Sequence, residues 1–369
     1  VHKCEAGEKG TQAQSGFNLH IHIPFMQKNT ILRNCLLCFS AIISLFVACD
    51  SEKTVKLQTT HLTEAIEAVS EAGVSEKEVK EIRQKFTKKF DRWCVDIMGI
   101  PPQYMGNDSL LSVFLTNFME LNRPILASVQ KHYDRYPKLN DKISSSIAML
   151  KKAFPDAGEF EVLVYFSQFS MTNTFTDTVS GKHILGYSAE MFMDDTCALY
   201  NQIEGMPAWI KRYARTEQIP AFLAVTYLNG RYQESHVRKT MLDEMIFQGK
   251  LWYSMLQLSP DIAPERLLGY SADEWNFLQK EEANIWNFYL QEKTLFSTDF
   301  NRGFKRFFVQ GERTTGAGLP EDCPPRIGNY SGLKIVTAYA EKTGKSLKQI
   351  WEETNAGNIL RESGYNPIR

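Results

Sequence analysis

Residues 159–188, EFEVLVYFSQFSMTNTFTDTVSGKHILGYS, decide the fold class. Phe160 to Gln168, Thr174 to Val179 and His183 to Gly186 are rich in Val, Phe, Thr and Ile, whose branched or aromatic side chains fit a pleated surface. Ser180-Gly181 interrupts these runs with turn residues. They read as a small antiparallel sheet or meander. The chain on both sides carries a helical period instead. Upstream, Ser75-Glu76-Lys77-Glu78 is a capping box ahead of an amphipathic run to about Ile100, stopped by Pro101-Pro102. Leu110 to Tyr133 follows, with a break or kink expected at Pro124, and then Leu139 to Phe154, ended by Pro155-Asp156. Downstream, the helical period returns at Pro207 and holds with interruptions to the C-terminus. The implied fold is α+β and mainly α-helical. It is one compact domain over 60–369, with a helical N-terminal layer over 60–155 and the sheet plus helices over 156–369.

The 369 residues are 43% hydrophobic, which excludes a disordered or collagen-like chain. Lys+Arg number 42 against 43 Asp+Glu, a net charge of -1 that leaves no electrostatic footprint for nucleic acid.

The N-terminal region reads as an address. From Met26 the sequence is MQKNTILRNCLLCFSAIISLFVACDSEK. Lys28 and Arg33 form a basic n-region, and Cys35 to Ala48 is an uncharged apolar stretch too short to span a bilayer but suited to a signal-peptide h-region. Leu45-Phe46-Val47-Ala48-Cys49 resembles a bacterial lipobox, in which the cysteine receives the lipid; Phe46 is bulkier than the usual pattern. The other reading is an ordinary cleaved signal with an incidental cysteine. The expected organisation is therefore a gene-model extension over 1–25, a lipoprotein signal peptide over 26–48 and a tether over 49–59. His20-Ile21-His22 and Cys35-Leu36-Leu37-Cys38 would then be absent from the mature protein. Only Cys94, Cys197 and Cys323 would remain besides Cys49, far apart in sequence; they suggest no disulfide framework and leave room for one pair.

No catalytic motif survives inspection. None of the seven histidines forms a pair four apart, as a zinc-peptidase helix needs. Thr343-Gly344-Lys345-Ser346 imitates the end of a phosphate loop, but Tyr339 stands where its first glycine belongs. Gly344 reads better as a helix C-cap and Ser346 as an N-cap completed by Gln349. Gly186-Tyr187-Ser188 and Gly269-Tyr270-Ser271 lack the second glycine of a nucleophile elbow, and Ser271, three before Glu274, is a cap.

Two polar residues lie on apolar helix faces. Gln248 stands near the stripe Leu242, Met245, Gly249, Trp252 and Leu256 of a helix around 238–257. Glu282 falls inside the stripe Trp275, Leu278, Ile285, Trp286 and Tyr289 of a helix expected over 272–293. A carboxylate there needs a partner, for which Lys250 and Arg326 are the candidates. It either pins two helices by an internal hydrogen bond or touches a ligand. The segment 313–330, RTTGAGLPEDCPPRIGNY, is longer than an ordinary connection. Arg313 and Arg326, at or near its ends, either grip an anion or pair with nearby acids within an Ω-loop.

The running text around these residues resembles GldB, the gliding-motility-associated lipoprotein family of Bacteroidetes. The likeness spans about 160 to 366. It is carried by Gly205-Met206-Pro207-Ala208-Trp209-Ile210-Lys211-Arg212-Tyr213 and by 241–253, MLDEMIFQGKLWY. Further on it is carried by Glu281-Glu282-Ala283-Asn284-Ile285-Trp286, by 292–299, EKTLFSTD, and by Pro325-Arg326-Ile327-Gly328-Asn329-Tyr330 leading into Gly332-Leu333-Lys334-Ile335-Val336. Asp50-Ser51-Glu52 also resembles a shortened form of the acidic tract that sends some lipoproteins of that phylum outward. The family is similar in layout to predicted zinc-dependent peptidases. The helix matching their metal-binding helix, Ile219 to Leu228, has no histidine or carboxylate here, and Gln248 stands near the place of a glutamate ligand. The resemblance thus implies a peptidase-like scaffold without its metal and with no cofactor. It also implies association with the gliding and type IX secretion apparatus.

The leading expectation is a non-enzymatic, periplasm-facing protein anchored to the inner or outer membrane through acylated Cys49 and working through motility or secretion partners. A cryptic hydrolase using Glu282 or Glu292 is the second reading. An envelope module binding peptide or glycan in a cleft lined by Trp252, Trp286 and Tyr330 is the third. The candidate cleft or partner-binding residues are Gln248, Lys250, Trp252, Glu282, Trp286, Arg313, Arg326 and Tyr330.

Overall fold

Short polar caps place the helix starts. In the computed structural model Ser75 accepts from the Glu78 amide while the Glu78 carboxylate returns to the Ser75 amide. Ser271 with Glu274 and Ser346 with Gln349 repeat the arrangement. The described residues are 57–368 apart from 71, 171–173, 195, 204–213, 300–304, 309–310, 312 and 317. Cys49, the signal segment and the Gly205–Tyr213 word lie outside them.

The chain runs β1 (Gln58–His61), α1 (Leu62–Glu67), α2 (Glu76–Phe86), α3 (Lys88–Arg92), α4 (Asp108–Tyr133), α5 (Leu139–Ala153), β2 (Glu159–Tyr165), β3 (Thr174–Val179) and β4 (Lys182–Ser188). It continues through α6 (Ile219–Tyr232), α7 (Met241–Leu258), α8 (Pro264–Leu268), α9 (Ala272–Lys280), α10 (Glu282–Gln291), α11 (Ile327–Thr343), α12 (Leu347–Glu352) and α13 (Ala356–Ser363). Residues 54–369 form one compact unit.

The sheet has four strands in the order β1-β2-β4-β3. The antiparallel expectation holds only for the β3–β4 hairpin, whose turn residues Ser180 and Gly181 both take positive φ. β2 pairs parallel with both β1 and β4, so the sheet is mixed. The reason lies in β2, buried at every position after Glu159, which is the mark of a central strand covered on both faces. β1 begins at Gln58, inside the segment expected to be tether, and Thr60 hydrogen-bonds Glu161 across to β2 at 2.8 Å.

Three expected helices differ in detail. The run from Ser75 to Ile100 is broken at Thr87 (φ 51°), giving α2, α3 and a π-helical turn over Trp93–Ile97. Pro124 does not interrupt α4. The helix expected over 272–293 turns at Glu281 (φ -93°, ψ 9°) into two, which puts Glu282 in the first turn of α10.

Trp93, fully buried, ties the N-terminal layer to the sheet by donating to the Phe166 carbonyl at 2.8 Å and meeting Phe118 edge-on at 5.3 Å. In the C-terminal half α7 and α11 cross in backbone contact. A Cβ added at Gly332 would lie 1.8 Å from the Met245 carbonyl oxygen, and one at Gly249 would lie 2.3 Å from the Gly332 carbonyl. Only paired glycines allow this approach.

Candidate functional site

The α7–α11 crossing gathers most of the residues singled out in the sequence. Glu282, at the start of α10, accepts from the Tyr330 hydroxyl at 2.9 Å and the Tyr365 hydroxyl at 3.0 Å. Lys334 Nζ lies 3.4 Å away. These are its partners, and neither Lys250 nor Arg326 is among them. Burial and the adjoining carboxylate push both tyrosine hydroxyls far above their ordinary range, so they stay protonated donors. Trp275 meets Tyr330 edge-on at 5.5 Å, and Trp286 meets Tyr365 at 5.1 Å.

Arg326 precedes α11 in the left-handed region (φ 59°). Its buried guanidinium lies 5.0 Å over Trp252 and 4.6 Å over Tyr270, and it donates to the Gly269 carbonyl at 3.4 Å. Aromatic faces with a backbone oxygen thus hold this charge in the interior. Tyr270 and Trp275, 5.9 Å apart, connect the Arg326 and Glu282 groups. Gln248 sits at the margin, donating to Glu244 at 2.8 Å and accepting from Asn329 at 3.4 Å. Trp252, Trp286 and Tyr330 are each no more than 5% exposed, so they form a packed junction and present no open aromatic face.

Lys250 and Arg313 stand apart from this junction. Arg313 is exposed and, among the described residues, reaches the Glu321 carbonyl of its own loop at 3.5 Å. Lys250 is fully buried; its ammonium donates to the Glu353 carbonyl at 2.6 Å and to His236 Nε2 at 2.9 Å, 5.7 Å from the Trp351 ring centre. Trp351 donates to Ser254, which donates to the Lys250 carbonyl at 2.7 Å. Burial pulls the Lys250 amine down to about 7, and burial with the neighbouring Lys250 charge pulls His236 down to about 4. A neutral His236 fits as acceptor at Nε2, with Nδ1 directed 3.0 Å from the Tyr232 carbonyl.

A second polar region, unmarked by any motif, lies at the C-terminal ends of the parallel strands. Two adjoining cavities of about 190 and 50 Å³ run between these ends and α4, sharing His61, Glu64, Val129, Gln130, Val164 and Ala189. His61 Nδ1 sits 2.9 Å from Glu64 and holds that carboxyl below its usual value. Beyond β4, Glu190 is fully buried and accepts from the Ser167 amide (2.8 Å), the Ser167 hydroxyl (2.5 Å) and the Phe169 amide (3.1 Å). Burial pushes its carboxyl upward. Nearby, His132 contacts Thr216 Oγ1 at 2.7 Å and lies 3.8 Å from Asp194, which also accepts from Tyr136. The one signal for this region was the apolar run from Val162 to Phe166, since strand ends of parallel pairs form crevices whatever the motif content.

Among the described residues, no group of three or more His, Cys, Asp or Glu side chains is placed to hold a metal ion. The helix that the resemblance aligns with a metal-binding helix is α6. It is buried over most of its length, and its Thr226 donates to Thr174 of β3 at 3.0 Å.

No curated protein and no solved structure matches the chain. One family model does, described as gliding motility protein GldB, over residues 49–367. That match takes in Cys49, the whole described sheet and every described helix, and the chain therefore belongs to the gliding motility protein GldB family of lipoproteins.

Proposed function

We propose that the protein is a non-enzymatic, lipid-anchored component of the cell envelope, facing the periplasm and working through protein partners in the gliding-motility and type IX secretion machinery. The observation that carries this reading is the start of the family match at Cys49. The basic n-region and apolar h-region position that same cysteine for acylation. The internal commitments of Glu282, Lys250 and Glu190 support a scaffolding role, since each is held by neighbours within the fold.

The anchor is tested by Cys49→Ala. The variant is expected to leave carbonate-washed membranes, and full retention would sink the anchor. The assembly role is tested by affinity capture of the tagged protein from crosslinked, detergent-solubilised membranes. Motor or secretion-channel components should be recovered; bait alone, or stoichiometric zinc in the purified protein, would overturn the reading.

A further inference from the structure

The parallel strands end together against α4. His61, Val164 and Tyr187 stand in register across β1, β2 and β4, so their side chains share one sheet face. All three line the cavity of about 190 Å³, whose other wall includes Val129, Gln130, Tyr133 and Tyr136 from α4 and the α4–α5 connection. The Tyr133 hydroxyl donates to the Ala189 carbonyl at 2.8 Å and that of Tyr136 donates to Asp194, so both are committed within the fold. Tyr187 differs. It is 2% exposed, and among the described residues its hydroxyl has no hydrogen-bond partner. Burial and the Glu64 carboxylate both push this phenol up, so it stays protonated and lies on the Glu64 side of the cavity. A buried phenol ordinarily finds a partner, and here the cavity is where one can enter.

The groups in the wall say which ligand chemistry fits. Glu64 gives Oε1 to His61 Nδ1 at 2.9 Å, and its side chain is 56% exposed, which leaves Oε2 available at the mouth. Gln130 donates its amide N–H to Asp134 at 3.1 Å and keeps its carbonyl oxygen for another donor. With the Tyr187 oxygen, the wall thus offers three acceptors. Glu67 adds a second carboxylate in the adjoining cavity of about 50 Å³. Among the described residues, no lysine or arginine lines either cavity. Arg135 comes 5.9 Å from the Tyr136 ring centre, but it donates to His132 and is not part of the wall. A primary ammonium has three N–H donors and no acceptor, which matches this set. The volume lies below the ~300–1,000 Å³ of ordinary small-molecule clefts and limits the stem to a few carbons.

We propose that this crevice binds a primary alkylammonium group of lysine side-chain size, its nitrogen donating to Glu64, Tyr187 and Gln130 and its stem packing on Val129 and Val164. The site does not depend on the assembly role proposed above. n-Butylammonium is titrated against the full chain in nonionic detergent, with binding followed by saturation-transfer NMR of the ligand. A dissociation constant on the order of 1 mM is expected for so few atoms. n-Butanol and butyrate, of similar shape, should bind roughly tenfold more weakly. Equal binding of either would overturn the ammonium reading, as would no binding of the amine. Glu64→Gln should weaken the amine about tenfold and Tyr187→Phe several-fold, with the circular dichroism spectrum unchanged. Glu120→Gln, which removes an exposed acid elsewhere on α4, should leave binding as it was. Amine binding that survives both Glu64→Gln and Tyr187→Phe would lie elsewhere and refute the site. A blocked tripeptide with a central lysine separates two sources of the group. Binding at least as tight as that of butylammonium assigns a partner's lysine side chain; exclusion of the peptide, with butylammonium still bound, assigns a free amine.

Discussion

Replacing Lys250 with methionine tests whether this amine is a buried charge at neutral pH. In the unfolded chain it titrates near 10.5, and in the fold burial brings it to about 7. Below pH 7 both states hold the proton, so the folded state bears the whole cost of an interior ammonium. Between 7 and 10.5 the folded state has released the proton while the unfolded state retains it. Unfolding then takes up a proton, and stability rises with pH; above 10.5 both states are neutral and the rise ends. From pH 7 to 9.5 the gain is roughly 3 kcal/mol. Methionine carries no proton and lacks this rise. It also leaves the Glu353 carbonyl and His236 Nε2 without their donor, at about 1–3 kcal/mol. Lys250→Met should therefore match or exceed the parent in stability at pH 7 and lose ground by roughly 3 kcal/mol toward pH 9.5. Urea unfolding followed by circular dichroism across that range measures the difference directly. Titrations of groups away from Lys250 are common to both proteins and cancel. A difference that stays flat with pH would show that the amine is not a displaced base, and the reasoning would fail.

Two further substitutions probe the junction. Gly332→Ala drives a Cβ to within 1.8 Å of a backbone oxygen that cannot rotate away, so α7 and α11 must part by more than about 1 Å; the expected loss is about 3 kcal/mol or more, read as a drop in the urea midpoint. Glu282→Gln keeps one acceptor for the two tyrosines, turns an amide toward the other and discharges the contact with Lys334; it should cost about 1–2 kcal/mol and speed amide exchange in α13, and an unchanged exchange pattern would show that Tyr365 is held by packing alone.

Much of the architecture was legible because it is local. Ser75, Ser271, Ser346 and Gly344 announce helix ends through bonds to residues three or four positions away, and Ser180-Gly181 announces its hairpin in the same way. β1 was missed because four residues facing a strand about a hundred positions later carry no local period. The parallel pairing was missed for the same reason. Periodicity also places Glu282 on an apolar face without naming what meets it there: Tyr330 and Tyr365 arrive from α11 and from beyond α13, at separations no spacing rule reaches. Lys250 shares a helix with Gln248 and Trp252, but it points to the Trp351 side, and only the crossing partners of α7 decide which face each residue serves.

The parallel pairing of β1 has a mechanical consequence. Tension entering from the N-terminal side meets β1 first and pulls it along its own axis, past a β2 fixed in the core. In that geometry the rungs from Gln58–Glu161 to His61–Val164 are loaded together in shear, rather than peeled one after another as in a hairpin opened from its ends. The Glu161 carboxylate, gripped by both Thr60 and Lys89, adds a crosspiece in the direction of sliding. A four-residue strand is a small structure, but it is arranged as a clamp against a pull from the end of the chain that carries Cys49.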